Sequence, residues 1–177
     1  FDVEILFNSL KEVKRYIKEE KMSIYRNTSH MLANGKVIYQ ISPIVRQLQS
    51  TALKNMKEKT KYSNDEIVMH KYSLDDFLKD ARRDFAHNDT IAFHLDSYFL
   101  IQNSIELLLK LSNNFYRKPR EMPELLRHID QNFAILLNNF YTARNPRNKL
   151  KALEYIYNFA MKKSKGKLAS NWTLRWK

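Results

Sequence analysis

The opening residues carry the sharpest chemical pattern in the chain. Phe1-Asp2-Val3-Glu4-Ile5-Leu6 alternates apolar and acidic side chains, the period-two sign of a strand with one buried face. The alternation predicts a strand with Asp2 and Glu4 on the same side, and a carboxylate held rigidly in that way suits divalent-metal chemistry, Asp2 being the first candidate and Glu4 the second. A second pattern is Arg82-Arg83-Asp84-Phe85-Ala86-His87. His87 is fit to move a proton there and Arg82 to hold phosphate charge; the plainer alternative pairs Arg82 with Asp80 or Asp84 and leaves His87 to end a helix. A third is Tyr116-Arg117-Lys118-Pro119-Arg120, which places Arg117, Lys118 and Arg120 on one loop. Those cations either touch a substrate phosphate or form an ordinary solvated loop. The remaining histidines, His30, His70, His94 and His128, show no metal-ligand spacing and read as structural or surface groups.

Composition limits the chemistry further. The 177 residues include no cysteine, 2 glycines and 4 prolines. Disulfides, thiolate nucleophiles and cysteine zinc sites are therefore absent. Gly35 and Gly166 each stand alone before a lysine, so neither a GxGxxG turn nor a P-loop is present. Hydrophobic residues make up 44% of the chain and aromatics 12%, enough for a packed core. The net charge is +12, of which +9 falls between Arg144 and Lys177, where ten Lys/Arg face Glu154 alone. Such an end attracts phosphate and makes nucleic acid a candidate partner, against the alternative of a solvated helix face and tail. No apolar run approaches the ~20 residues of a membrane span, no secretory leader is evident, and the expected location is the cytoplasm. Because the first residue is Phe inside a strand-like run, the chain reads as a piece of a longer protein.

The elements that must position these groups are mostly helical. Ser9-x-x-Glu12 predicts a capping box and a helix to about Glu20, followed by a shorter helix over Met22–Leu32. Asn34-Gly35 turns the chain into a second short strand, Lys36-Val37-Ile38-Tyr39. Ser42-Pro43 opens a helix to about Lys61. Capping signals at Ser63-x-x-Glu66 and Ser73-x-x-Asp76 carry helix to Phe85, and Asn88-Asp89 caps a strongly apolar helix from Thr90 to about Phe115. Pro123 starts a helix through Tyr141, Asn145-Pro146 starts one to Lys163, and Gly166 ends it. In the last helix Ala152, Tyr155, Ile156 and Phe159 are expected in the core, while Trp172 and Trp176 are expected to dock on the parent domain. The predicted fold class is mainly α, an antiparallel bundle of four to five helices behind a small α/β remnant of two short strands and one or two helices. The predicted organisation is 1–41 for the remnant, 42–165 for the bundle and 166–177 for a basic tail.

This order resembles the back end of the nucleotidyltransferase superfamily that includes DNA polymerase β and the aminoglycoside nucleotidyltransferases. Phe1-Asp2-Val3 looks like the family's third-carboxylate strand, and Ser29 through Tyr39 like its closing helix and strand. The stretch from Leu107 through Asn113, Asn114, Tyr116, Lys118 and Pro119 is similar to the central helix and following loop of the kanamycin-type C-terminal domain. The resemblance implies transfer of a nucleoside monophosphate from a Mg²⁺-bound nucleoside triphosphate to an acceptor hydroxyl. Asp2 would be the metal ligand or general base, and the bundle would form the acceptor side. The family's Gly-Ser turn and first two carboxylates would lie before Phe1, so this piece alone is expected to be inactive. Arg82 and His87 also resemble the Arg-x4-His motif of HEPN-type helical ribonucleases, which implies RNA cleavage or RNA binding. A non-catalytic dimerisation module, working as a homodimer, is the third reading.

Overall fold

The computed structural model describes residues 5–60, 62–169 and 171–173 and divides into two compact units, Phe1–Lys61 and Tyr62–Lys177. The described residues form eight helices joined by loops and contain no strand. The mainly α class therefore stands, but the two-stranded remnant is not seen. The segment 36–39 has no regular structure, and Ile38 and Tyr39 are 94% and 80% exposed. A strand of that length holds only against a partner edge, and here its apolar side chains face water. Ile5 and Leu6 are likewise exposed and unstructured, while residues 1–4, and with them Asp2 and Glu4, lie outside the described residues.

In the first unit, α1 (Leu10–Glu20), α2 (Asn27–Asn34) and α3 (Ile44–Lys57) pack together, so the division of the chain falls after α3 rather than before it. Ser9 caps α1 by accepting from the Glu12 N–H at 3.2 Å. The Glu12 carboxylate turns forward to Arg15 at 2.6 Å. The interior is small: Ile17, Ile24 and Ala52 are its buried apolar side chains. Polar groups fill the rest. Arg26 is 1% exposed, with its guanidinium donating to the carbonyls of Asn55, Glu58 (3.2 Å) and Lys21 (3.1 Å) and to the Thr60 hydroxyl. Glu20 accepts from the backbone N–H groups of Thr28 and Ser29 at 2.7 and 2.8 Å, which satisfies the start of α2. Asn55 reaches from α3 to the Ile17 carbonyl (3.0 Å) and the Ser29 hydroxyl (2.7 Å).

Among its described residues the second unit has five helices packed as a bundle: α4 (Asn64–Ala86), α5 (Thr90–Ser112), α6 (Met122–Ile129), α7 (Gln131–Thr142) and α8 (Pro146–Lys163). Ser63 forms the full capping box, accepting from the Glu66 N–H at 3.2 Å and donating its own N–H to the Glu66 carboxylate at 2.8 Å. Ser73 caps nothing. It sits inside α4, which runs unbroken past it because Leu74 and Leu78 bury against the bundle. Asp89 caps α5 through the Ala92 N–H, and the left-handed Asn113 (φ 53°) ends it earlier than Phe115. The single helix expected from Pro123 to Tyr141 is two. Asp130, extended at φ −160°, accepts from the N–H groups of Asn132 and Phe133 and starts α7 afresh. Gly166 (φ 93°) ends α8, donating to the Met161 carbonyl at 2.8 Å. The core runs through all five helices, with Leu74, Leu100, Leu109, Met122, Phe133 and Ile156 among its buried members.

Candidate functional site

A concavity of the bundle lies between α5, the loop 113–121, α6 and α7. Asn113 turns the chain off α5, and the Lys118 carbonyl accepts from the N–H groups of Glu121 and Met122 at 2.8 and 3.2 Å. That turn folds the loop back over the helices. The resulting cleft has a volume of about 590 Å³, within the size range of small-molecule sites. Its apolar wall comes from Ile105, Met122, Leu126 and Leu137. Its polar groups are phenols and amides: Tyr98 and Gln102 on α5, Tyr116 on the loop, and Asn138 and Tyr141 on α7. The Tyr116 hydroxyl donates to Gln102 at 2.8 Å, and the Gln102 amide donates to Glu106 at 3.2 Å. Burial pushes the Tyr116 and Tyr141 phenols above their ordinary range, so both stay protonated in neutral solution. Arg127 is the one cation in the lining, which contains no carboxylate. This arrangement offers hydroxyl and amide hydrogen bonds beside an apolar surface.

The loop singled out by its cations is a wall of this cleft, through different residues. Tyr116 and Pro119 line it, whereas Arg117, Lys118 and Arg120 are exposed beside them. Arg120 stands 3.9 Å from Glu121. Arg82 and His87 are not brought together. Arg82 is held on α8 by Glu154, with contacts of 2.7 and 2.9 Å to one carboxylate oxygen. His87 is exposed at the C-cap of α4, its N–H donating to the Arg83 carbonyl. Five residues along a helix turn the side chains roughly 140° apart, so an Arg82 aimed at α8 leaves His87 on another face. Asp2 and Glu4 fall outside the described residues.

Two further titratable groups sit between α4 and α5. His70 and Asn103 exchange side-chain and backbone contacts, and burial keeps the imidazole below its usual pKa. Nearer the other end of α4, Asp84 and Asp96 face each other beside Asp80 and Arg83. Burial and the neighbouring Asp84 carboxyl raise Asp96 to about 6. Arg83 holds Asp80 at 2.7 Å and Asp84 at 3.2 Å. Among the described residues no group of three or more His, Asp or Glu is placed to hold a metal ion. These residues therefore do not fit a Mg²⁺-triphosphate site, and no step through that ion is assigned to them.

Sequence reasoning named Tyr116 but passed over Tyr98, Gln102, Arg127, Asn138 and Tyr141. Their signal was present as spacing: Tyr98, Gln102 and Ile105 recur every three to four residues on α5, as do Ala134, Asn138 and Tyr141 on α7. Tyr155 was also misplaced, since it is 52% exposed while Ala152 and Ile156 beside it are buried. Trp172 rests against Tyr72 of α4 at a ring separation of 5.4 Å, and Trp176 lies outside the described residues. No helix among the described residues is long and apolar enough to cross a membrane. In comparisons with known proteins, no family model, no curated protein and no solved structure matches the chain.

Proposed function

We propose that the bundle binds a small hydroxylated acceptor in the α5–α7 cleft and forms the acceptor side of a nucleotidyltransferase-like protein. The observation that carries this reading is the position of the cleft. Two of its lining residues, Tyr116 and Pro119, belong to the stretch that resembles the kanamycin-type domain. Its lining chemistry narrows the acceptor. Phenols and amides hydrogen-bond hydroxyls, the apolar wall takes a ring or aliphatic body, and the lack of a lining carboxylate disfavours a polycation. A neutral or anionic hydroxylated aromatic molecule fits best, with the exposed Arg117, Lys118 and Arg120 on the adjoining loop available to a phosphate. Two carboxylates upstream of Phe1, together with Asp2, would hold Mg²⁺ and the nucleoside triphosphate.

The test is transfer of labelled nucleoside monophosphate by a protein carrying those upstream residues, supplied with Mg²⁺ and hydroxylated aromatic acceptors. The expected result is labelled acceptor, lost in Asp2→Ala, with the acceptor KM raised about tenfold in Asn138→Trp, which crowds the cleft from an exposed position. Transfer unaffected by both substitutions overturns the reading.

A further inference from the structure

The exposed face of α8 carries a repeating pattern that the acceptor cleft does not use. Asn148, Lys151, Tyr155, Asn158 and Lys162 follow one another at spacings of three and four, and all are exposed. They therefore form one stripe along the helix. Beside it lies a groove of about 300 Å³ between α7 and α8, into which Asn139 and Thr142 of α7 face Asn148, Lys151 and Tyr155 of α8. The charge here is uncompensated. Arg144, Arg147, Lys151 and Lys162 have no acidic partner among the described residues, and Glu154, the one acid of the segment 144–177, is committed to Arg82. Lys163, by contrast, is neutralised by Asp130 at 2.8 Å.

Charge of one sign, an exposed ring and side-chain amides are three separate requirements of a single-stranded nucleic acid. The backbone needs cations spaced along a line, a base needs a π-face to stack on, and its edge needs donors and acceptors. Here the Lys151 ammonium lies 6.0 Å from the centre of the Tyr155 ring, at the outer limit of a cation–π contact. The ring and the ammonium thus lie together on the exposed stripe. Asn139 and Asn148 line the same groove as Tyr155, with amides that can pair with a base edge. A lipid surface asks for something else, a continuous apolar face flanked by cations. The stripe offers one aromatic side chain between polar ones, and so fits a nucleic acid better.

We infer that the α7–α8 groove and the Arg144–Lys162 stripe bind single-stranded nucleic acid, with a base stacked on Tyr155 and phosphates on Lys151, Lys162 and the arginines at the start of α8. This surface is distinct from the α5–α7 cleft, and its failure would leave the acceptor reading untouched.

Fluorescence anisotropy of the whole 177-residue chain with a labelled twelve-nucleotide RNA, at 50 and 200 mM salt, tests it. Saturable binding is expected to weaken about tenfold in Tyr155→Ala and to persist in Tyr155→Phe, which keeps the ring. In the double variant Lys151→Gln/Lys162→Gln, the log–log salt slope should fall by about 1.4. Tyr155 and both lysines are exposed, so the helical circular dichroism of each variant should match the parent, which separates a binding effect from unfolding. The inference is overturned by absence of RNA binding, by binding that Tyr155→Ala leaves unchanged, or by capture on phosphatidylserine vesicles in preference to the oligonucleotide.

Discussion

The two units solve the problem of holding three or more helices together in opposite ways. In Phe1–Lys61 the helices meet around a buried guanidinium, an amide and two hydroxyls, with Ile17, Ile24 and Ala52 as the buried apolar side chains. Arg26 collects carbonyls from the ends of α1 and α3, groups that helix termini leave without partners. In Tyr62–Lys177 twenty buried apolar side chains form one continuous cluster. Hydrogen bonds are directional and give net stability of only about 1 kcal/mol each, whereas apolar burial accumulates with area. The first unit is thus specified more sharply than it is stabilised, and the second has stability to spare for an open cleft.

Several substitutions sharpen or break that contrast. Phe133 is fully buried and stacks near Phe159 at 5.2 Å; Phe133→Ala should cost about 4 kcal/mol, read as a lower denaturation midpoint of the bundle amides. Arg26→Met should destabilise the first unit by about 3 kcal/mol, because it strands the carbonyls of Lys21, Asn55 and Glu58. Hydrogen exchange should then show protection lost across α1–α3 and kept in α5; equal loss in both would mean that the division into two differently built units is wrong.

The paired acids of α4 and α5 give a smaller, pH-dependent effect. Asp96 is raised from 3.8 to about 6 in the folded chain. Its contribution to stability is therefore fully present below the unfolded value and is lost as pH rises through about 6. Asp80, Asp84 and Arg83 are the charged groups around it, the first two opposing its ionisation and Arg83 favouring it. Asp96→Asn should flatten the pH dependence of thermal melting between pH 4 and 7 and raise stability at pH 7.5 by about 1 kcal/mol. An unchanged pH profile would contradict a raised Asp96. The smallest expected effect is Tyr116→Phe, which removes one hydroxyl bond to Gln102 and should cost about 1 kcal/mol or less by chemical denaturation.

Much of the bundle was legible because its signals are local. The capping box at Ser63, the cap at Asp89, the proline start of α8 and the stop at Gly166 each depend on neighbours within a few residues. What failed depended on distant partners. The apolar run at 36–39 after Asn34-Gly35 reads as a strand, yet the described residues contain no strand to pair with it. Ser73 has a capping sequence, but the burial of Leu74 and Leu78 keeps α4 continuous through it. Asp130 reads as a mid-helix acid until its extended backbone separates α6 from α7. Arg82 was noticed for its spacing to His87, whereas its actual partner, Glu154, stands 72 residues away on α8. The cleft was legible in half: the cationic loop with Tyr116 was found, and Tyr98 and Tyr141 were not, because their grouping exists only once α5 and α7 are packed.

Binding in that cleft is measured most directly by a ¹H–¹⁵N NMR titration of the chain with 2-naphthol, a neutral hydroxylated aromatic probe. The expected result is saturable shifts confined to the neighbourhood of Tyr98, Gln102, Tyr116, Asn138 and Tyr141, abolished in Asn138→Trp. Shifts scattered over the bundle surface, or none at millimolar probe, would contradict a ligand site between α5 and α7.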